Sequence, residues 1–202
     1  MKKVLVQRTA AWVGVSAIVL AAASPVIVSA ATTTGNTTIN ATLASVISIT
    51  TSTTVALAVT PTGAGSATSA ADTVTVATNN ATGYSLSLAD TDTNTSLVSG
   101  GNTITAHAGT FGTPTTLANN SWGYRVDGSG TFGAGPTSAQ TNQANLSGLW
   151  AGVPSSASAQ QLKTTSTNTA ADVTSVFYGV KVDTSKPSGT YADSVTYTAV
   201  TN

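Results

Sequence analysis

The chain carries 202 residues, of which 7% are charged, with a formal net charge of zero and no cysteine. The missing cysteine excludes a disulfide framework, a thiolate zinc site, a catalytic thiol and a cysteine-linked lipid anchor. All seven acids are aspartates; threonine and valine, which favour strands, take the place of the helix formers glutamate and lysine, so composition predicts an all-β protein.

Residues 1–30 read as a secretion signal peptide. Lys2, Lys3 and Arg8 form a basic start, residues 10–23 are an apolar run, and Val28-Ser29-Ala30 supplies small residues before a cut at Ala30/Ala31. The run is short for a spanning helix, which needs about 20 residues. The membrane is therefore expected as a partner only through the uncleaved signal. No sorting signal follows the last expected strand, so covalent wall attachment by that route is not expected. Without the leader, four cations (Arg125, Lys163, Lys181, Lys186) face seven aspartates, a net −3. Four scattered cations offer no footprint for nucleic acid, whose affinity comes from clustered Lys and Arg. Hydrophobic residues make up 41% of the chain and recur at alternate positions, which argues against disorder.

Residues 31–38 are a threonine-rich, flexible lead-in to a single domain over 39–202. Ile39, Ala41, Leu43, Ile47 and Ile49 alternate and predict the first strand; Val55, Leu57 and Val59 predict the second. Residues 61–69 read as a loop. Val74 and Val76, the turn Asn79-Asn80-Ala81-Thr82-Gly83, and then Tyr84, Leu86 and Leu88 predict a hairpin. Residues 90–102 form a polar loop with a short apolar piece at Leu97-Val98. Thr103-Ile104-Thr105 predicts a short strand. Residues 106–117 hold too much glycine and proline for a central one. Trp122, Tyr124 and Val126 share the inner face of another strand. Residues 128–157 form the longest irregular stretch, read as a functional or mobile loop. Residues 160–165 predict a further strand. At the end, Val176, Tyr178, Val180 and Val182 face one side, as do Tyr191, Val195, Tyr197 and Ala199. The turn at Lys186-Pro187-Ser188-Gly189 predicts that the two runs pair as an antiparallel hairpin. The sum is an antiparallel β-sandwich of about eight or nine strands.

Few residues suggest chemistry. His107 is the only histidine, so a Ser-His-Asp hydrolase would have to use it, yet no nucleophile elbow surrounds it. Asp90, Asp92 and Asn94 begin like a calcium loop, but Thr95 and Gly101 stand where such a loop needs glycine and a bidentate acid. A plain turn capped by its own side chains is the favoured reading. Lys163, Lys181 and Lys186 raise the thought of a lysine–asparagine isopeptide; Lys181 is expected to point outward. Trp122 is expected in the core, whereas Trp150, inside the long loop, is the aromatic best placed to stack on a sugar. No catalytic residue, metal or cofactor is expected.

The segments Gly83-Tyr84-Ser85-Leu86-Ser87-Leu88 and Gly189-Thr190-Tyr191, followed by Val195-Thr196-Tyr197-Thr198-Ala199, resemble the two signature segments of the WxL-type bacterial cell-wall surface domain. Tyr84 and Tyr197 stand where that family has tryptophan, and Ala199 where it has leucine. The resemblance implies non-covalent association with the cell wall. It nominates Tyr84, Leu86 and Tyr197, beside Trp150, as contacts to a wall polymer or ligand. The expectation is thus a secreted, non-catalytic, structural or adhesive protein at the cell surface. Its partner would be a cell-wall polymer or another surface protein. The alternatives are a subunit of a surface filament or pilus, built when residues 31–43 add a strand to a neighbour, and a carbohydrate-binding module using Trp150.

Overall fold

The computed structural model describes residues 31–202; the expected signal peptide lies outside them. The chain divides into two units between Thr42 and Leu43. In the first, residues 31–42 are exposed and form no strand. The alternation at Ile39, Ala41 and Leu43 therefore does not make the predicted strand: Ile39 is 89% exposed and Leu43 79%. Alternation selects an extended chain, but a strand also needs a neighbour to take its backbone groups.

The second unit is all-β. Its ten strands are β1 (Ile47–Thr50), β2 (Ser66–Thr78), β3 (Tyr84–Asp90), β4 (Leu97–Ser99), β5 (Asn102–Ala106), β6 (Ser121–Val126), β7 (Gln140–Gln143), β8 (Gln160–Thr164), β9 (Thr169–Val182) and β10 (Val195–Thr201). The large sheet runs β1-β2-β9-β6-β5-β4, with β7 on the flank of β2; the small sheet runs β10-β3-β8. The pairs are antiparallel except β5 with β6, which is parallel, so the large sheet is mixed rather than wholly antiparallel. The two sheets make a sandwich-like fold. Among the described residues no helix is long and apolar enough to cross a membrane.

The long pair β2–β9 is the spine of the large sheet. On its inner face Val74, Val76, Val176, Tyr178, Val180 and Val182 alternate with outward residues. Trp122, Tyr124 and Val126 of β6 continue that face, as predicted, and Tyr84, Leu86 and Leu88 of β3 close on it from the small sheet. Every one of these side chains is buried. Burying such a side chain stabilises by roughly 1.5–3 kcal/mol.

Neither predicted hairpin forms. After Thr78 the chain turns at Gly83 (φ +80°), where the Gly83 amide donates to the Asn80 carbonyl at 3.0 Å. That turn does not fold β3 back on β2; it carries the chain into the other sheet. There β3 pairs with β8 and β10. Likewise β9 and β10 lie in different sheets, joined through residues 183–194 rather than by a tight turn. The turn chemistry was legible, but the partner was not: residues flanking a turn need not pair when each has a better neighbour elsewhere.

Two further differences concern segments read as strand or loop. Val55, Leu57 and Val59 pack against the core without joining a ladder. Their segment is pinned by side chains: the Ser52 amide donates to Asp72 Oδ1 (2.9 Å), Thr68 Oγ1 to the Ala58 carbonyl (2.9 Å) and the Thr60 amide to Asn142 Oδ1 (2.7 Å). Residues 66–69, read as loop, are the buried start of β2.

Candidate functional site

The long segment 128–157 is built into the body rather than free of it. Trp150 exchanges two backbone hydrogen bonds with Thr115, and Ala151 exchanges two with Tyr124. Each donor–acceptor distance lies between 2.7 and 3.0 Å. The Trp150 indole is fully buried with Leu146, Leu117, Ala67 and Phe177, a second small core. Phe177 shares parity with the outward residues of β9, so this core covers the outer face of the large sheet. Gly179 makes room for it: a Cβ there would stand 2.8 Å from Trp150 Cζ3 and 2.7 Å from Leu146 Cδ1. Arg125, also fully buried, reaches from β6 to the carbonyl of Gly133 (3.0 Å), fastening the segment further. Burial lowers the affinity of its guanidinium for the proton, with Asp127 opposing.

These positions correct the reading of Trp150 as a sugar platform, because a side chain without exposure cannot stack on a ligand. The other three nominated contacts are also turned inward. Tyr84 and Leu86 are fully buried and Tyr197 is partly buried. The two resembling segments nevertheless meet. β10 runs beside β3 with Tyr197 opposite Leu88, Ala199 opposite Leu86 and Thr201 opposite Tyr84. One sheet thus unites two stretches more than a hundred residues apart in sequence.

The phenols carry the polar links between elements. Tyr197 of the small sheet and Tyr178 of the large one place their hydroxyls 2.7 Å apart. Burial pushes both hydroxyls well above the ordinary tyrosine range, and neighbouring Asp72 acts in the same direction. Tyr84 donates to Asp172 Oδ2 at 2.8 Å, while Lys163 donates to Asp172 Oδ1 at 2.6 Å. Burial alone would raise the Asp172 carboxyl; the hydrogen bonds from Lys163 and Tyr84 hold it below the usual carboxylate range. Sequence reading missed both links because they join side chains across sheets whose pairing periodicity does not encode.

His107 is buried, with Nε2 2.8 Å from Thr115 Oγ1 and Nδ1 accepting from the Ala118 amide at 3.4 Å. Burial lowers its proton affinity, opposed by the Thr115 contact. Both ring nitrogens are spent on holding residues 115–118 to the end of β5. Lys181 donates to Asn145 Oδ1 at 2.7 Å, a contact on the exposed rim.

The acidic turn after β3 resolves into the favoured reading. The Asp92 amide donates to Asp90 Oδ1 (3.0 Å), the Asn94 amide to Asp92 Oδ1 (2.6 Å) and the Ser96 amide to Asn94 Oδ1 (3.3 Å). Each side chain caps the backbone two residues on. Among the described residues no three His or Asp side chains converge as metal ligands. A residue that sequence spacing could not have nominated, Asp193, is brought beside the end of β3, where the Thr91 amide donates to the Ser194 carbonyl at 3.1 Å. Its approach follows from the register that sets Val195 opposite Asp90.

No protein-family model, curated protein or solved structure matches the chain. What the geometry defines is a class: an all-β, sandwich-like protein whose polar side chains chiefly tie one element to another.

Proposed function

We propose that this chain is a secreted, non-catalytic structural protein of the cell surface. The observation that carries the reading is the use made of its reactive groups. His107, Tyr84 with Asp172 and Lys163, and Tyr178 with Tyr197 each bridge two segments of the fold. A catalytic group needs a free valence aimed at a substrate; these are engaged within the protein. Non-covalent association with a wall polymer is supported by the adjacency of the two WxL-like segments on β3 and β10. Since Tyr84, Leu86 and Trp150 are buried, contact with a polymer falls to the outward residues of that sheet. These include Ser85, Ser87, Thr196, Thr198 and Val200, an uncharged face on which hydroxyls surround one exposed valine. Fractionation of the native cell tests the reading. Protein held in the wall fraction, and released by denaturant without wall hydrolysis, is the expected result. Protein found free in the medium sinks it.

A second reading, assembly into a filament by strand addition, is favoured by one observation. Ile39 and Leu43 are large apolar side chains 89% and 79% exposed, on a stretch that forms no strand. Extended, alternating and uncharged, such a stretch can supply an edge strand to a neighbouring sheet. Ladders that withstand mild denaturant support it, and a monomer at all concentrations removes it.

A further inference from the structure

The small sheet ends in two edges, and they are not alike. β8 is short, carries Lys163, and skips Leu162 in its register with β3. A charge and a bulge are ordinary devices that keep an edge strand from pairing with another chain. β10 has neither. Its seven residues, Val195–Thr201, pair with β3 without a break and include no charge and no proline. Among the described residues no strand pairs with its other side, although β1, at the rim of the large sheet, comes near it. Antiparallel pairing takes the backbone groups of alternate residues, so the remaining ones of β10 point away from β3 with no strand to receive them. Ile49 of β1 stands opposite Val76 and so shares the inner face, yet it is 38% exposed. The rim of the sandwich is apolar and open beside an unguarded edge.

Residues 37–43 are the counterpart. They are exposed, form no strand, contain no charge and no proline, and equal β10 in length. On an extended chain Ile39, Ala41 and Leu43 lie to one side, and Thr38, Asn40 and Thr42 to the other. β10 is divided in the same way: Val195, Tyr197 and Ala199 turn toward the core, Thr196 and Thr198 outward. Set beside β10, the segment continues both faces with like side chains, apolar within and hydroxyl or amide without. No charge on either strand opposes the approach. The segment ends where anchoring begins: Asn79 Nδ2 donates to the Ala44 carbonyl (2.9 Å), and the Val46 amide donates to Asn79 Oδ1 (2.7 Å).

We propose that residues 37–43 of one copy pair with the open edge of β10 in a second copy of this chain. Each copy offers both halves of the contact and fills neither itself, so no other component is needed. The two surfaces differ, which makes the contact heterologous, and it repeats head to tail. Main-chain hydrogen bonds supply the joint, and the alternating side chains fix which face turns inward. The inference rests on assembly by strand addition and supplies the acceptor strand.

The experiment uses the chain from Ala31, which has no cysteine, so that engineered thiols are the only ones present. Sedimentation velocity over rising concentration reads assembly. Ladders are expected from the wild-type chain. They should be lost in Ile39→Asp/Leu43→Asp, whose changes fall on exposed side chains and leave the melting temperature unmoved. For the edge, a tagged Thr42→Cys chain is mixed with Thr198→Cys or, at the guarded edge, with Gln161→Cys, and treated with a short bis-maleimide. Cross-linked pairs with Thr198→Cys and none with Gln161→Cys are the expected result. Ladders that cross-link through Gln161→Cys, or through neither, overturn the inference and leave strand addition standing at another edge. Ladders unchanged by the double aspartate substitution overturn it too, since a different surface then joins the copies. A Thr42→Cys/Thr198→Cys chain that cross-links within a monomer overturns it by closing the segment on its own body. A wild-type chain that stays monomeric at all concentrations removes both the inference and the strand-addition reading.

Discussion

Replacing Trp150 by alanine separates the two readings of the long segment. The indole is fully buried against Phe177, Leu146 and Gly179, so its removal leaves a cavity walled by β-sheet and by a segment fixed through Thr115 and Tyr124. Sites that cannot collapse suffer most, and truncating a buried tryptophan costs about 3–5 kcal/mol. For a chain of this size each kcal/mol moves the melting temperature by about 2–4 °C, giving a fall of about 6–20 °C. The assay is thermal unfolding by circular dichroism, with urea unfolding alongside. The midpoint should drop while the slope holds, since the same surface is exposed on unfolding. A fall of under about 2 °C, the scale of a neutral surface change, would refute the reasoning. Loss of retention on a polysaccharide resin at unchanged stability would refute it more sharply, by returning the indole to the surface.

Three other expectations are narrower. Tyr197→Phe removes the hydroxyl that meets Tyr178 and should cost about 1 kcal/mol by urea titration, whereas a stabilised variant would show the pair to be a burden. In Lys163→Met the partly exposed ion pair with Asp172 is lost, so stability should change by less than about 1 kcal/mol. The Asp172 carboxyl, followed by NMR, should nonetheless titrate higher. Burial and the negative charges of Asp90 and Asp92 push the Asp193 carboxyl up to about 6. The folded chain therefore holds that proton more tightly than the unfolded chain does. The resulting stability is complete below the unfolded value near 4 and fades as pH rises through about 6. Asp193→Asn should therefore gain on the wild-type chain across that window; a pH-independent difference between the two would contradict the raised carboxyl.

The legible part of this protein was its inner faces. Trp122, Tyr124 and Val126, and likewise Tyr84, Leu86 and Leu88, alternate so strictly that the sheet side of each could be read from period two alone. The sandwich-like class followed from those faces. The pairing partners did not, because periodicity says which way a side chain points and nothing about which strand lies beside it. Tyr197 and Tyr84 were visible as aromatics worth testing, yet whether they faced solvent depended on the closing of one sheet over the other. The exposed Ile39 and Leu43 show the converse, since their alternation matches that of a core strand and only the lack of a neighbour distinguishes them. The approach of Asp193 to the end of β3 was out of reach for the same reason, being created by a register between distant segments.

Each strand of the small sheet is entered from the large one: β2 leads into β3, β7 into β8 and β9 into β10, while β3 leads out to β4 and β8 to β9. No strand of that sheet can find its partner next door along the chain. β3 emerges well before either neighbour, and its ladder is completed only when the last seven strand residues arrive. Folding must therefore close long loops before contacts repay their entropy, which places its rate in the slow, millisecond-to-second range typical of non-local β topologies. The same wiring makes the finished body hard to open piecemeal, because releasing β10 exposes β3 along its whole length. A chain built this way stays open longer than one of local topology, and resists local fraying once it has closed.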